Sequence, residues 1–169
     1  MSHAISQSLL PEFEMEMANT RRVLERVPEA DLGWKPPLKS MSLRQLASHV
    51  ADMAAWAAIT IGQDDFDIRP ADGPVYQPFE MESVADGVRY FDDNYRQARA
   101  LLDTATDETM ARTWSLKSNG SVILAMPKVA AWRTFVMNHL IHHRAQLIVY
   151  LRLNDVPVPG LYGPSADEQ

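Results

Sequence analysis

Apolar residues return at steps of three and four in four separate stretches of this chain, a period that specifies amphipathic helices and excludes a mainly β fold. The first stretch runs from about Ser8 to Arg26, with Leu9, Phe13, Met17, Thr20 and Leu24 on one stripe. Pro11 is expected in its first turn, where backbone N–H groups have no intrahelical partner to lose. The second runs from Ser42 to Gly62, with Leu46, His49, Val50, Met53, Ala57 and Ile61 aligned. Ser42 and Gln45 have the spacing of a capping box. The third starts near Ser83, with Asp86 as a weaker capping partner, and ends near Leu102. Gly87 lowers its helix propensity without breaking the pattern. The fourth begins after Pro127 and ends near Asn154, where "NDVPVPG" supplies breakers. Its seam reads Trp132, Val136, His139, His143, Leu147, Tyr150.

Four such helices with little strand content predict an all-α fold, a helix bundle built as a single domain over residues 1–169. An irregular all-α domain is the alternative. The connections are long and rich in Pro and Asp, so crossovers are allowed. Between the third and fourth helices, "TWSLKSNGSVILAM" alternates on either side of an Asn-Gly pair and predicts a small hairpin. The tail "VPVPGLYGPSADEQ" is expected to be extended, with Leu161 and Tyr162 packing back.

The net charge of −6 and the lack of a basic run argue against a nucleic-acid partner. The chain has no cysteine, so neither a disulfide nor a protein thiolate is available. No apolar run approaches the roughly 20 residues of a membrane span. The opening "MSHAISQSLLPEFEM" lacks the charged and apolar regions of a secretory leader. These features lead to the expectation of a cytoplasmic protein.

Three of the five histidines fall within five positions of "FVMNHLIHHRAQLIVYLRL", in the middle of the fourth helix. His139 and His143 are four apart, which is one turn plus about 40° with a rise of about 6 Å, so both imidazoles can reach one metal ion. Their neighbours on that face are apolar. His49 lies on the apolar stripe of the second helix and can oppose the pair if the two helices pack together. Three imidazoles leave a coordination position open, the arrangement of a catalytic rather than a closed structural site. A histidine on an apolar stripe is more often a core residue bonded to a carbonyl, but burying three without a shared partner is costly. His142 is the rival to His143, because it forms an i, i+3 pair with His139; it lies toward the flank, and His143 is favoured, with His142 placed behind the ligands or at an interface. Leu140 stands where a zincin has its glutamate, and no Glu-x-x-His or Gly-x-Ser-x-Gly run is present. Asn138, Arg144, Trp34 and Tyr76 are candidate supporting or pocket residues, and Asp52 is expected on a solvated helix face.

The runs "SLRQLASHVADM" around His49, "NHLIHHRAQLIVYLRL" around His139 and His143, the early "LLPEFEMEMANTRRVLERVPEADLGWKP" and the closing "VPVPGLYGPSADE" together resemble the DinB family within the DinB/YfiT-like superfamily of metal-dependent enzymes. The resemblance covers nearly the whole chain. It implies a four-helix bundle with up-down-down-up connectivity, often a homodimer. It also implies a divalent metal, zinc or nickel, on three histidines that map onto His49, His139 and His143. Ala145 departs from the family's usual glycine in its His-Arg-Gly-Gln run, which alters backbone freedom but removes no ligand.

The superfamily includes transferases and isomerases that use a low-molecular-weight thiol such as glutathione, mycothiol or bacillithiol. The resulting expectation is a metal-dependent thiol S-transferase acting on a small-molecule substrate. Since the chain has no cysteine, the thiol must come from a cosubstrate. A metal-dependent hydrolase and a non-catalytic metal- or ligand-binding module are the alternatives.

Overall fold

Ser42 starts helix α2 (Leu43–Gly62) with the full capping box: its hydroxyl accepts from the Gln45 N–H at 3.1 Å and the Gln45 side chain accepts from the Ser42 N–H at 2.9 Å. The computed structural model describes residues 2–168. Helix α1 (Ala4–Leu24) precedes α2, and α3 (Val84–Thr104) and the short α4 (Asp107–Ala111) follow it. A single 3₁₀ turn, Glu29–Asp31, lies between α1 and α2. The last helical rod has three parts: α5 (Lys128–Ala131), a π-helical stretch (Trp132–Met137) and α6 (Asn138–Leu153).

The protein is mostly helical but not all-α. Three strands, β1 (Asp65–Asp67), β2 (Thr113–Ser118) and β3 (Ser121–Pro127), form one sheet in the order β1-β2-β3. The β2–β3 hairpin is the expected one. Asn119 at φ 52° and Gly120 at φ 74° make the two-residue turn, whose positive φ values match the strand twist. Strand β1 was not foreseen, because "DFD" carries no strand signal of its own. It pairs parallel to β2, and Asp67 accepts from the N–H groups of Asn119 and Gly120 at 3.0 and 2.7 Å, fastening the turn.

Helix α1 begins four residues earlier than its apolar stripe predicts. The Asp107 carboxylate accepts the orphan N–H of Ile5 at 2.9 Å, and the Ser6 hydroxyl donates to the Ala105 carbonyl at 2.7 Å. Pro11 is therefore inside the helix rather than in its first turn. The carbonyl that loses its helical partner belongs to exposed Gln7, where water can replace the bond. His3, at the N-cap position, is tied down by a 3.1 Å bond between its Nδ1 and the Ala105 carbonyl.

Helix α3 packs against both α1 and α2, and α6 packs against the same two helices. The enclosed core includes Phe13, Met17, Leu46, Met53, Phe91, Leu102, Trp132 and Leu147. Gly87 lets the connection before α3 lie close: a Cβ there would stand 2.5 Å from Cε of buried Met81. Lys128, fully buried, donates to the Ile61 carbonyl at 2.7 Å and pairs with Asp64 at 3.0 Å, joining the start of α5 to the end of α2.

The π-helical stretch corrects the expected continuous seam. Trp132 packs edge-on against Phe13 of α1 at 4.9 Å, whereas His139, two residues beyond the end of that stretch, faces α2. The wider turn resets the phase between them. The tail packs back as expected, with Leu161 against the core and the Tyr162 hydroxyl reaching Glu16 at 2.8 and 2.9 Å.

Candidate metal centre

The apolar stripe of α2 carries His49 to the face that meets α6, between buried Leu46, Val50 and Met53. His139 and His143 project from the first two turns of α6 toward the same place. The ring centroids are 5.0 Å apart for His49 and His139, 4.5 Å for His49 and His143, and 4.6 Å for His139 and His143. One ring nitrogen from each lies within 4.8 Å of the others, and the Nε2 atoms of His49 and His139 are 3.3 Å apart. Three nitrogens about 2.1 Å from a tetrahedral ion stand about 3.4 Å from one another, so a modest ring rotation suffices to bind one. The trio could hold a metal ion.

The electrostatics suit that role. Burial first, then His143 and His139, lowers the His49 imidazole from 6.5 to about 4. Burial also lowers His139, with His143 adding to the effect. For His143 burial outweighs the opposing hydrogen bond from Gln146. Each shift favours the neutral ring, whose lone pair is what a metal binds.

Gln146, not singled out from the sequence, orients one of these rings. Its Oε1 accepts from His143 Nδ1 at 2.7 Å, so His143 is protonated there and Nε2 keeps its lone pair. Its Nε2 donates to His142 Nε2 at 3.1 Å. The spacing of three and four residues was the available signal. His142 is exposed behind the trio, its ring 4.9 Å from that of His143. For His139, a hydrogen bond to the Phe135 backbone works against the lowering of its pKa.

The other candidates separate. Asn138 is exposed at the first position of α6. Trp34 packs edge-on against Tyr150 at 5.3 Å and anchors the connection before α2. Arg144 is on the far side of α6 from the trio. Only 1% exposed, it donates to the Glu16 carboxylate at 2.5 Å, the Glu16 carbonyl at 3.0 Å, the Thr20 hydroxyl at 3.1 Å and the Tyr162 hydroxyl at 2.6 Å.

Tyr76 belongs to a buried network that overturns the expectation for Asp52. That carboxylate is 2% exposed, one turn beyond His49 on α2. It accepts from the Tyr76 hydroxyl at 2.5 Å, the Tyr90 hydroxyl at 2.8 Å and the Trp56 indole at 3.2 Å. Burial, then Asp52 itself, raises both tyrosines. Trp56 lies edge-on to Phe66, Tyr76 and Phe135, and Phe135 in turn lies 5.9 Å from His139. Aromatic packing thus continues from the Asp52 network to the trio.

Two cavities flank the histidines. One of about 480 Å³ is lined by His49, and another of about 470 Å³ by His143; Ser40 and Met41 form a wall of both. Among the described residues no carboxylate joins the trio, and no helix is long and apolar enough to cross a membrane.

The family model of the DinB superfamily matches residues 12–147. The chain is 27% identical to the uncharacterized protein YrdA of Bacillus subtilis over 164 residues, covering 94% of this chain and 89% of that one. Its fold is similar to a DinB-like protein of B. subtilis, YjoA, with a TM-score of 0.68 at 20% identity, covering 96% of this chain and 98% of that one. A DinB-like protein of Bacillus cereus gives a TM-score of 0.70 at 19% identity, covering 92% and 97% respectively.

Proposed function

This chain belongs to the DinB superfamily, and from that premise we propose that it is a divalent-metal-dependent enzyme that transfers a small electrophile to the sulfur of a low-molecular-weight thiol. The observation that carries this reading is the convergence of His49, His139 and His143 within 4.8 Å, between two cavities. Zinc or nickel is the ion these three imidazoles suit. When bound, such an ion supplies positive charge that favours the deprotonated form of a nearby thiol.

The chain's own residues hold and shape the site. Gln146 fixes the His143 ring with Nε2 inward. Met41, Leu46 and Tyr150 give the His143 side an apolar wall that limits water. The reaction balances as RSH + R′X → RSR′ + HX. The thiol proton leaves through the open cavity, a sulfur lone pair forms the bond to carbon, and the leaving group departs with its bonding pair. The absence of cysteine fits a thiol that arrives as cosubstrate.

The same reading takes residues 1–169 as one domain, with α1, α2, α3 and α6 forming an up-down-down-up four-helix bundle. The contacts of α3 and α6 with both α1 and α2 support it. It also includes a cytoplasmic homodimer with no membrane or nucleic-acid partner, consistent with the net charge of −6.

The test begins with elemental analysis of protein purified without a histidine tag, which should contain about one divalent ion per chain, lost in His49→Ala. Metal-loaded protein is then screened with electrophiles in the presence and absence of glutathione. Turnover that requires thiol supports the transferase. Turnover indifferent to thiol makes the protein a hydrolase, and metal binding without turnover makes it a binding module.

A further inference from the structure

The two cavities differ in chemistry. The one beside His49 is roofed by two separate connections that bring opposite charges to it: Lys39 from the segment before α2, and Glu80 from the segment before α3. Neither makes an ion pair with another residue among the described residues. Gln45 and Gln77 add amides to the same walls. The cavity beside His143 has no Asp, Glu, Lys or Arg in its lining; its apolar residues are Met41, Leu46, Val149 and Tyr150. Met41, 40% exposed, stands with Ser40 between the two. Each volume is in the range that encloses a small molecule.

The segment that carries Glu80 is also held in place. The N–H of Met81, next to Glu80, donates to the buried Ser48 hydroxyl at 3.0 Å. Tyr76 is bonded to Asp52, and Phe79 stacks on Tyr90 at 3.7 Å. Glu80 therefore lies on a segment fastened to α2 and α3 on both sides, which favours a defined position for its carboxylate.

We propose that the two cavities take different reactants: the His49 side holds a zwitterionic small molecule, its carboxylate at Lys39 and its ammonium at Glu80, and the His143 side holds an uncharged, apolar one against Leu46, Val149 and Tyr150. This rests on the transferase reading and assigns its substrates. The zwitterion is the thiol cosubstrate, the apolar molecule is the electrophile, and they meet at the histidine trio. Opposite charges fix the orientation of the first, because reversing it places like charges together. Apolar contact selects the second with little directional preference.

Calorimetric titration of zinc-loaded protein with glutathione and with propanethiol tests the first half. Lys39 and Glu80 are exposed, so their reversal leaves the fold intact. Lys39→Glu and Glu80→Lys should each weaken glutathione about tenfold and leave propanethiol within about twofold. Amide shifts test the second half: glutathione should move Gln77 and Glu80, benzyl alcohol should move Val149 and Tyr150, and both should bind at once. Glutathione affinity indifferent to both reversals, or competition between the two probes, overturns the assignment while zinc binding leaves the enzyme reading intact. If the unmodified protein takes up no zinc yet binds both probes in their places, the two-cavity assignment survives and the metal-dependent reading falls.

Discussion

Nε2 of His49 and Nε2 of His139 lie 3.3 Å apart, although 90 residues separate them in the chain. A cation shared by them and His143 would fasten α2 to α6 and would bind the folded chain in preference to the unfolded one. At an ion concentration of about 100 times its dissociation constant the gain is about 2.7 kcal/mol, which for a domain of this size raises Tm by roughly 5–10 °C. Scanning calorimetry with and without zinc should show this rise, and His49→Ala and His139→Ala should each abolish it. An equal rise in both variants would place the ion elsewhere.

Acid should weaken the metal-stripped protein through the same residues. The folded pKa of His49 is about 4, below the ordinary 6.5, and those of His139 and His143 are lowered as well. The unfolded chain therefore takes up more protons over that interval. The stability these neutral rings allow is fully present above about pH 6.5 and is lost as pH falls toward 4. Urea denaturation at several pH values should show that slope, shallower in His49→Ala.

Asp52 should prove a structural anchor for the wall of the His49 cavity. In Asp52→Asn an amide NH₂ replaces one oxygen that accepts from a tyrosine, at a cost of about 1–3 kcal/mol. Hydrogen exchange should quicken in the segment from Tyr76 to Met81 and stay unchanged in the middle of α6. Uniform loss of protection across the chain would assign Asp52 to the general core instead.

The pair of Arg144 and Glu16 is buried on both sides, at 1% and 3% exposure. Removing one member leaves a buried charge, so Arg144→Met should cost about 3–5 kcal/mol. The double variant Glu16→Leu, Arg144→Met should recover a large part of that loss. Chemical denaturation of the three proteins checks the difference, and equal losses in the single and double variants would contradict it.

What could be read from the sequence was local. Ser42 and Gln45 announce the start of α2, Asn119-Gly120 announces the hairpin, and the four-residue spacing of His139 and His143 on an apolar stripe announces that their rings converge. What could not be read depends on partners far along the chain. Asp52 has the sequence context of a surface carboxylate, and only Tyr76 and Tyr90, from a later connection and another helix, make its burial acceptable. Likewise Asp107 moves the start of α1, and β2 turns Asp65–Asp67 into a strand. The π-helical stretch leaves no mark either, since Trp132, Val136, His139 and His143 fit an uninterrupted α-helix equally well.

That stretch means the chain stores the aim of its imidazoles in a residue count. An α-helix advances about 100° per residue, so deleting one position between Trp132 and Met137, with Trp132 still seated on Phe13, would swing everything downstream through roughly that angle. His139 and His143 would be unchanged as amino acids and still four apart, yet turned away from α2. A chain can therefore keep all three histidines and lose their common focus through a single gap just ahead of them.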